Sequence, residues 1–181
     1  MDDNVKKNTV SVLVDNEPGV LARVIGLISG RGYNIDSLTV AEVDAEKHIS
    51  RITIVTPGSE ETVNKLISQL EKLVPVSRAA NVTFEKKGIE REMALVKILA
   101  TGEKRVESMR LSEVFRAKII DTTHDSFVFE LNGSPHKIDA FINLMKPLGL
   151  SEVSRTGVVA IARGTETVSY THLTLPTILL V

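Results

Sequence analysis

The hydrophobic pattern of the first half of the chain predicts six elements in the order βαββαβ. Apolar and polar positions alternate over residues 9–15, which is typical of a strand, whereas spacings of three and four residues indicate helices. In order, the predictions are a strand over 9–15, a helix entered through Asn16-Glu17-Pro18 with Pro18 in its first turn and ending near Gly30, strands over 34–43 and 49–55, a helix over 60–73 and an irregular strand over 74–84.

The same order is predicted again after a polar stretch, residues 85–88, that is suited to a linker. The predicted elements are a strand over 93–99, a helix over 103–115, a strand pair over 117–121 and 127–131, a helix opened by Ser134-Pro135 and a closing strand over 158–162. An α+β fold of two ferredoxin-like βαββαβ modules follows, over 8–85 and 90–165. Each sheet would carry two helices on one face and leave the other apolar face bare, which favours dimerisation.

The last fifteen residues, 167–181, differ in composition from the rest. They contain no Asp, Glu, Lys or Arg, although a quarter of the chain is charged. The string VSYTHLTLPTILLV resembles translated cloning or sequencing-linker sequence, so we interpret this tail as non-native and exclude it from the fold. The alternative is a real terminal strand.

Overall composition excludes several classes of function. The 22 Lys and Arg residues balance 23 Asp and Glu residues, so no global field attracts nucleic acid or an anionic membrane. The absence of cysteine excludes disulfides, thiolate metal sites and cysteine nucleophiles. The start, MDDNVKKNTV, has no apolar signal region, and no run of 18 apolar residues occurs. We therefore expect a cytoplasmic protein with no nucleic-acid or membrane partner.

No catalytic constellation is found along the chain. The four histidines are scattered without metal-ligand spacing, and Asp121, His124 and Asp125 lie in a predicted turn, where such residues are ordinary. The GRGYN stretch at 30–34 lacks the third glycine of a dinucleotide fingerprint and follows a helix rather than a strand. We therefore predict a binding module with no catalytic residue, no metal site and no cofactor of its own.

The turn from the first strand into the first helix carries the positive signal. Free N–H groups at a helix start, together with the positive end of the dipole, suit a small carboxylate. Gly19 would let a ligand approach the backbone, and Asn16 can both donate to a carboxylate and accept from an ammonium. A free amino acid fits this chemistry. Alternatively, Asn16 is only a helix cap and Gly19 a tolerated small residue.

Several longer strings make this turn part of a family pattern. They are NEPGVLARV at 16–24, GLISGRGYNIDSLTV at 26–40, SRITI at 50–54, EREMALVK at 90–97 and SRTGVVA at 154–160. Together they resemble the regulatory, or small, subunit of acetolactate synthase (acetohydroxyacid synthase), whose amino-terminal domain is an ACT domain. The likeness runs from about residue 9 to residue 164.

The resemblance implies a subunit without a catalytic site that binds the catalytic subunit, raises its activity and confers feedback inhibition by branched-chain amino acids, chiefly valine. Thiamine diphosphate, FAD and magnesium would belong to the catalytic partner. Two ACT domains would form a homodimer with the inhibitor between them. The implied ligand-binding residues are Asn16, Gly19, Val20 and Leu21 from one chain, and Asn34 and Ile35, at the start of the second strand, from its mate; Ala41 matches a position associated with feedback sensitivity.

Two features of the pattern bear on details of this assignment. Pro18 stands where some relatives have Ser, which removes one N–H group from the turn. The second module has no Asn-x-x-Gly turn after its first strand, so we assign it to contact with the catalytic subunit. Three alternative functions are an ACT-type sensor that controls another enzyme, a transcriptional regulator and a small enzyme. For the regulator, no DNA-binding segment is seen before Thr9.

Overall fold

A computed structural model describes residues 6–83, 88–165, 167 and 168, and it confirms an α+β fold with two ferredoxin-like modules. The strands are β1 (Lys7–Asp15), β2 (Ser37–Asp44), β3 (Ile49–Pro57), β4 (Val76–Asn81), β5 (Gly88–Leu99), β6 (Lys118–Thr122), β7 (Ser126–Gly133), β8 (Leu150–Arg155) and β9 (Val159–Ala162). The helices are α1 (Val20–Gly30), α2 (Glu60–Leu70), α3 (Gly102–Phe115) and α4 (Pro135–Met145), the last followed by a short 3₁₀ turn. None of these described helices has the length and apolar character needed to cross a bilayer.

The two modules share one strand order. The first sheet runs β2-β3-β1-β4, and the second runs β6-β7-β5-β8 with β9 also paired to β5. Every pairing in these two four-strand paths with a recorded register is antiparallel. The described residues up to Ile89, together with those from Ile161 onward, form one compact unit, and Glu90–Ala160 form the other.

The first core forms because β1 is the central strand and one of its faces meets both helices. The buried apolar side chains of this cluster are Val10, Val12, Val14, Val20, Val24, Ile28, Ile52, Ile54, Val63, Leu66, Leu70, Val76 and Ala79. Alternation along the strands and helical spacing in α1 and α2 deliver these side chains to one layer.

The expectation of a bare second face is wrong for the first sheet. Ser11 and Leu13, which point away from the helices, are fully buried as well. On the same face, the Arg51 guanidinium donates through Nη2 to the backbone oxygen of Val168 at 2.9 Å. Val168 is one of two described residues of the segment interpreted as a non-native tail; residues 169–181 lie outside the described residues. Burial of Arg51 lowers the pKa of its guanidinium.

The second core is built from aliphatic residues of β5 and an aromatic cluster. Its buried members are Ala94, Val96, Ile98, Ala100, Phe127, Phe129, Leu131, Ile138, Phe141 and Met145. The Phe129 and Phe141 rings meet edge to face with centroids 6.0 Å apart, and Phe115 lies 5.3 Å from Phe141. Such contacts add to the stabilisation that burial of the rings gives.

The structure corrects the prediction for the end of the second module. The strand that completes the βαββαβ order is β8, and the predicted closing strand over 158–162 is the additional strand β9. The β8 segment, LSEVSR, was not predicted as a strand because it has only two apolar residues. This composition is typical of an edge strand, and most of its side chains are exposed. Gly88, assigned to the linker, already belongs to β5; residues 85–87 lie outside the described residues.

An ion-pair cluster ties β5, β8 and α4 together. The Arg155 guanidinium donates to both carboxylate oxygens of Glu92, each at 2.6 Å, and through Nη1 to Asp139 at 2.7 Å. Only 3% of the Glu92 side chain is exposed, whereas that of Asp139 is about half exposed. Hydrogen bonding to Glu92 is the largest cause of a raised pKa for Arg155. The bidentate geometry makes Glu92 the stronger partner.

We predict that Glu92→Gln destabilises the fold more than Asp139→Asn does. Glutamine removes the charge of a buried, doubly bonded partner and should cost about 2 kcal/mol. The same change at the exposed carboxylate should cost less than about 1 kcal/mol. Urea unfolding at neutral pH measures both values. Equal effects of the two substitutions would show that burial of Glu92 adds nothing to the pair.

Candidate functional site: the turn between β1 and α1

The turn after β1 is held at its beginning by two neighbouring segments of the first module. The N–H of Asp15 donates to the Pro75 oxygen at 2.9 Å, and the N–H of Asn16 donates to the His48 oxygen at 2.6 Å. The chain then turns back on itself, because the N–H of Glu17 donates to the Asp15 oxygen at 2.9 Å. The position of the turn is therefore fixed by the sheet and not by the helix that follows.

The helix begins two residues later than the sequence predicts. α1 starts at Val20 with Gly19 as its N-cap residue, so Pro18 lies in the turn and not in the first helical turn. Gly19 has φ 82° and ψ −2°, a left-handed conformation that disfavours any residue with a Cβ. A Cβ added there would meet no heavy atom within 4 Å. Glycine is therefore required by the backbone conformation, and the space beside it is open.

The start of α1 is chemically unfilled. No side chain caps it and no acidic residue lies in its first turn. Among described residues, the N–H groups of Gly19, Leu21 and Ala22 have no backbone acceptor. The other three helices differ: side-chain caps serve α2 and α4, and α3 has Glu103 in its first turn. The positive end of the α1 dipole and its N–H groups are thus available to an anion.

Asn16 is not the helix cap that the alternative interpretation required. Its Nδ2 donates instead to the Glu42 carboxylate on β2 at 3.0 Å, on the exposed surface. This bond links the turn to the edge strand of the first sheet. Glu42 was missed by sequence reasoning, because nothing in the pattern of β2 indicates which of its exposed residues faces the turn.

The three apolar candidates, Val20, Leu21 and Ile35, divide into core and partly exposed residues. Val20 is only 6% exposed and its N–H donates to the Glu17 oxygen at 3.3 Å, so its side chain belongs to the core. Leu21 and Ile35 pack against the same core but are partly exposed. Of the three apolar positions, these two can also present surface to a small side chain.

Asn34 and Ile35 lie in the loop before β2 and not at the start of that strand, which begins at Ser37. The Asn34 amide donates to Asp36 at 2.8 Å, and its backbone oxygen accepts from the Thr56 hydroxyl at 2.7 Å. The eleven residues of α1, about 16 Å in length, separate this loop from the turn at Gly19. One chain therefore does not bring the two groups of predicted site residues together.

Ala41 lies on β2, opposite Arg51 of β3, and its side chain is exposed. β2 forms one edge of the first sheet, and its Val40 and Val43 side chains are 42% and 50% exposed. An outermost strand with exposed valines is suited to contact with another strand.

Comparison with known proteins assigns both modules to one family. Residues 10–78 match the AHAS small subunit-like ACT domain, and residues 91–164 match the family described as the small subunit of acetolactate synthase. The probable acetolactate synthase small subunit of Archaeoglobus fulgidus is 45% identical over 158 residues, which cover 87% of this chain and 98% of that protein. The isozyme 3 small subunit of Escherichia coli K12 is 45% identical over 159 residues, covering 87% and 96%.

The chain belongs to the acetolactate synthase small-subunit family. A crystal structure of the Thermotoga maritima acetolactate synthase small subunit agrees with this fold, with a TM-score of 0.80 at 37% sequence identity, over 90% of this chain and all of that one. The family match begins and ends inside the modules described above and does not reach residues 165–181.

In this member of the small-subunit family, the predicted turn that contains His124 and Asp125 is an exposed surface feature. The His124 ring contacts the Asp125 carboxylate at 2.7 Å, but both side chains are largely exposed between β6 and β7, and Asp121 is exposed on β6. Among the described residues, no three His, Asp or Glu side chains are grouped closely enough to hold a metal ion.

We predict opposite effects for the same substitution at two glycines of this family member. Gly19→Ala should destabilise the fold by about 1–2 kcal/mol, because alanine must adopt a left-handed conformation. Gly26→Ala, inside α1 and also with open space at the Cβ, should stabilise it by up to about 1 kcal/mol. Thermal unfolding measures both. A Gly19→Ala variant as stable as the parent would show that the turn relaxes without strain.

Proposed function

We propose that this chain is the regulatory subunit of acetolactate synthase and that it stimulates a catalytic subunit and confers feedback inhibition by valine. Family membership over both modules supports the regulatory role. The observation that carries the ligand assignment is the unfilled start of α1 at Gly19. We expect no cofactor in this chain; thiamine diphosphate, FAD and magnesium would be held by the catalytic subunit.

The proposed ligand is an amino-acid zwitterion. Its carboxylate would accept hydrogen bonds from the free N–H groups at the start of α1, where the helix dipole favours a negative charge. Its ammonium would interact with the Glu42 carboxylate and the Asn16 amide oxygen, which the Asn16–Glu42 hydrogen bond holds near the turn. Leu21 offers a partly exposed apolar side chain for the ligand's own. Valine or another branched-chain amino acid fits this combination.

A complete pocket would need two chains. Asn34 and Ile35 are at the far end of α1 from Gly19, so they would have to come from a second copy. The β2 edge, with Val40 and Val43 exposed, is the surface through which we propose that two ACT domains form the homodimer. Ala41 lies on this edge, which would place it at the dimer interface near the ligand.

Inhibition would follow from a difference in affinity. A ligand held between two chains stabilises one arrangement of the dimer, and it changes activity only as far as it prefers that arrangement. A coupling free energy of roughly 1–3 kcal/mol corresponds to a change of about 5 to 150-fold. Incomplete inhibition at saturating valine is therefore expected.

The alternatives are an ACT-type sensor that controls another enzyme and a transcriptional regulator. The match of residues 91–164 to the small-subunit family argues against both, since an ACT domain alone would leave that module unexplained. We propose that the second module contributes to contact with the catalytic subunit, because its α3 has Glu103 in the first turn and is less suited to an anion. The cytoplasmic location stays a prediction.

Reconstitution with a catalytic acetolactate synthase subunit tests the proposal. The isolated chain should show no synthase activity, should raise the activity of the catalytic subunit, and should make it sensitive to valine. Gly19→Asp should weaken valine inhibition by about 100-fold or more while stimulation remains. Two negative charges about 4 Å apart repel by roughly 4 kcal/mol at an effective dielectric of about 20, and solvent at this exposed turn screens part of that.

Gly19→Asn is the matched control. It has the size of Asp and the same left-handed conformation to adopt, but no charge, so valine sensitivity should stay within a few-fold of the parent. Loss of sensitivity in both variants would point to bulk or strain and not to the carboxylate. Synthase activity from this chain alone, supplied with thiamine diphosphate and magnesium, would contradict the regulatory role itself.

A further inference from the structure

The outer strand of the second sheet, β6, has an unusual surface for an edge. It is the first strand in the order β6-β7-β5-β8, and all five of its residues are exposed. Ile119 and Ile120 are 44% and 50% exposed. At the other end of this order, β8 exposes only polar side chains. Edge strands that are to stay single usually present polar side chains, so the two isoleucines need an explanation.

A bulge in β6 brings two opposite charges to one face. Lys118 lies opposite Glu130 of β7, and Asp121 lies opposite Val128. The register of the two strands shifts by one residue between Ile119 and Asp121. Side chains directly opposite each other share a face, and Glu130 and Val128 are two residues apart. Residues three apart in a regular strand point to opposite faces of the sheet. Because of the bulge, Lys118 and Asp121 instead share the face away from the helices.

Ile119 faces the other side of the sheet. Its partner in the ladder is Phe129, a fully buried residue of the second core. Within the described part of the chain, neither Lys118 nor Asp121 has an ion-pair partner of its own, although Glu130 faces Lys118 across the ladder and accepts a hydrogen bond from Asn132. The edge thus combines an outermost strand, exposed isoleucines and two charges that form no ion pair within the described residues.

We propose that β6 pairs antiparallel with β6 of a second copy of this chain. A two-fold axis perpendicular to the sheet, between Ile119 and Ile120, would place Lys118 opposite the partner's Asp121. The same axis repeats this pair, so both charges of each strand are matched. Ile119 would lie opposite the partner's Ile120, and the backbone groups of both edges would form hydrogen bonds.

Self-complementarity favours a second copy over a different protein. An unrelated strand could satisfy the backbone hydrogen bonds, but one sequence supplies both halves of the charge match only when it meets itself. Five residues span only about 17 Å, so the contact buries much less area than a standard interface of about 1,600 Å². We therefore expect weak association, which strengthens when the chains are already joined elsewhere. The inference does not depend on the dimer proposed at β2.

Site-specific disulfide formation tests the register in the full chain, which has no cysteine of its own. Lys118→Cys and Asp121→Cys are prepared as separate variants, mixed in equal amounts and oxidised. Opposed residues of an antiparallel pair have Cα atoms about 4.5–5.5 Å apart, within disulfide range. The mixed 118–121 disulfide should form at least about five-fold faster than either symmetric disulfide, as measured by mass spectrometry.

Ser151→Cys and Ser154→Cys on β8 are the matched controls, since both are exposed and also three residues apart on the opposite edge. They should show no preference for the mixed disulfide. A majority of symmetric 118–118 or 121–121 disulfides, or rates no higher than those of the β8 pair, would overturn the proposal.

Charge reversal gives a second measurement that needs no cysteine. Lys118→Asp and Asp121→Lys should each raise the dissociation constant of self-association by roughly ten-fold, because each creates two like-charge contacts across the axis. The double variant restores both matches and should return the constant to within about two-fold of the parent in sedimentation equilibrium. Failure of the double variant to recover would contradict this register.

Discussion

Pairing of β1 on both of its sides determines where the candidate site lies. β3 on one side and β4 on the other hold β1 at the centre of the first sheet, and the register ends with Asp15 opposite Ile49. The backbone N–H groups of Asp15 and Asn16 also donate hydrogen bonds to the oxygens of Pro75 and His48. These bonds fix the point at which the chain leaves the sheet. α1 then starts where its Val24 and Ile28 can reach the core, and its amino-terminal end stays open.

The two modules have the same topology but differ at the start of the helix that follows the central strand. In the first, the helix after the central strand begins at a left-handed glycine with no cap and no acidic residue. In the second, the equivalent helix begins after Thr101 and has Glu103 in its first turn, which disfavours an anion there. A buried Glu92–Arg155 pair instead stabilises the second module. Similar folds thus have an uncapped helix start in one module and a buried ion pair in the other.

The equivalent edge strands β2 and β6 also differ between the two modules in what lies beside them. Both are outermost in their sheets, and both expose two aliphatic side chains. The β2 edge adjoins the candidate ligand site through the Asn16–Glu42 hydrogen bond. Among the residues that the structure describes, no such hydrogen bond links β6 to a candidate site, but the β6 bulge aligns Lys118 and Asp121. These two edges are the separate surfaces at which we propose contact between copies.

Sequence patterns predicted the parts of the fold that depend on strong hydrophobic periodicity. Eight of the nine strands and all four helices were placed close to their positions. Most of these elements bury apolar side chains at regular spacing, although β6 is exposed and the buried residues of α3 are Ser108 and Ser112. The weakly apolar β8 was missed, and 158–162 was given its role. The start of α1 was predicted at Pro18, because proline is common in the first turn of a helix. In the structure Gly19 has a left-handed conformation, and the helix begins at Val20. Backbone conformation at one glycine cannot be read from hydrophobic spacing.

For the site, the sequence located the turn but not its contacts. The resemblance singled out Asn16 and Gly19, and the structure places both in this turn. Glu42 could not be found in this way, since its contact with Asn16 depends on how β2 is aligned with β3. The resemblance implied Val20 as a ligand-binding residue, but its side chain is buried in the core. Local sequence identifies the turn, whereas tertiary packing decides which side chains remain available.

The most direct test of this account is a valine titration of the isotopically labelled full chain followed by amide NMR. The account predicts saturable shifts of the Gly19, Leu21 and Ala22 amide signals, which valinamide, lacking the carboxylate, should not reproduce. Amide signals of β6 should not move in either titration. Valine binding that leaves the three α1 amides unchanged, or equal shifts with valinamide, would contradict the claim that the open start of this helix receives the ligand's carboxylate.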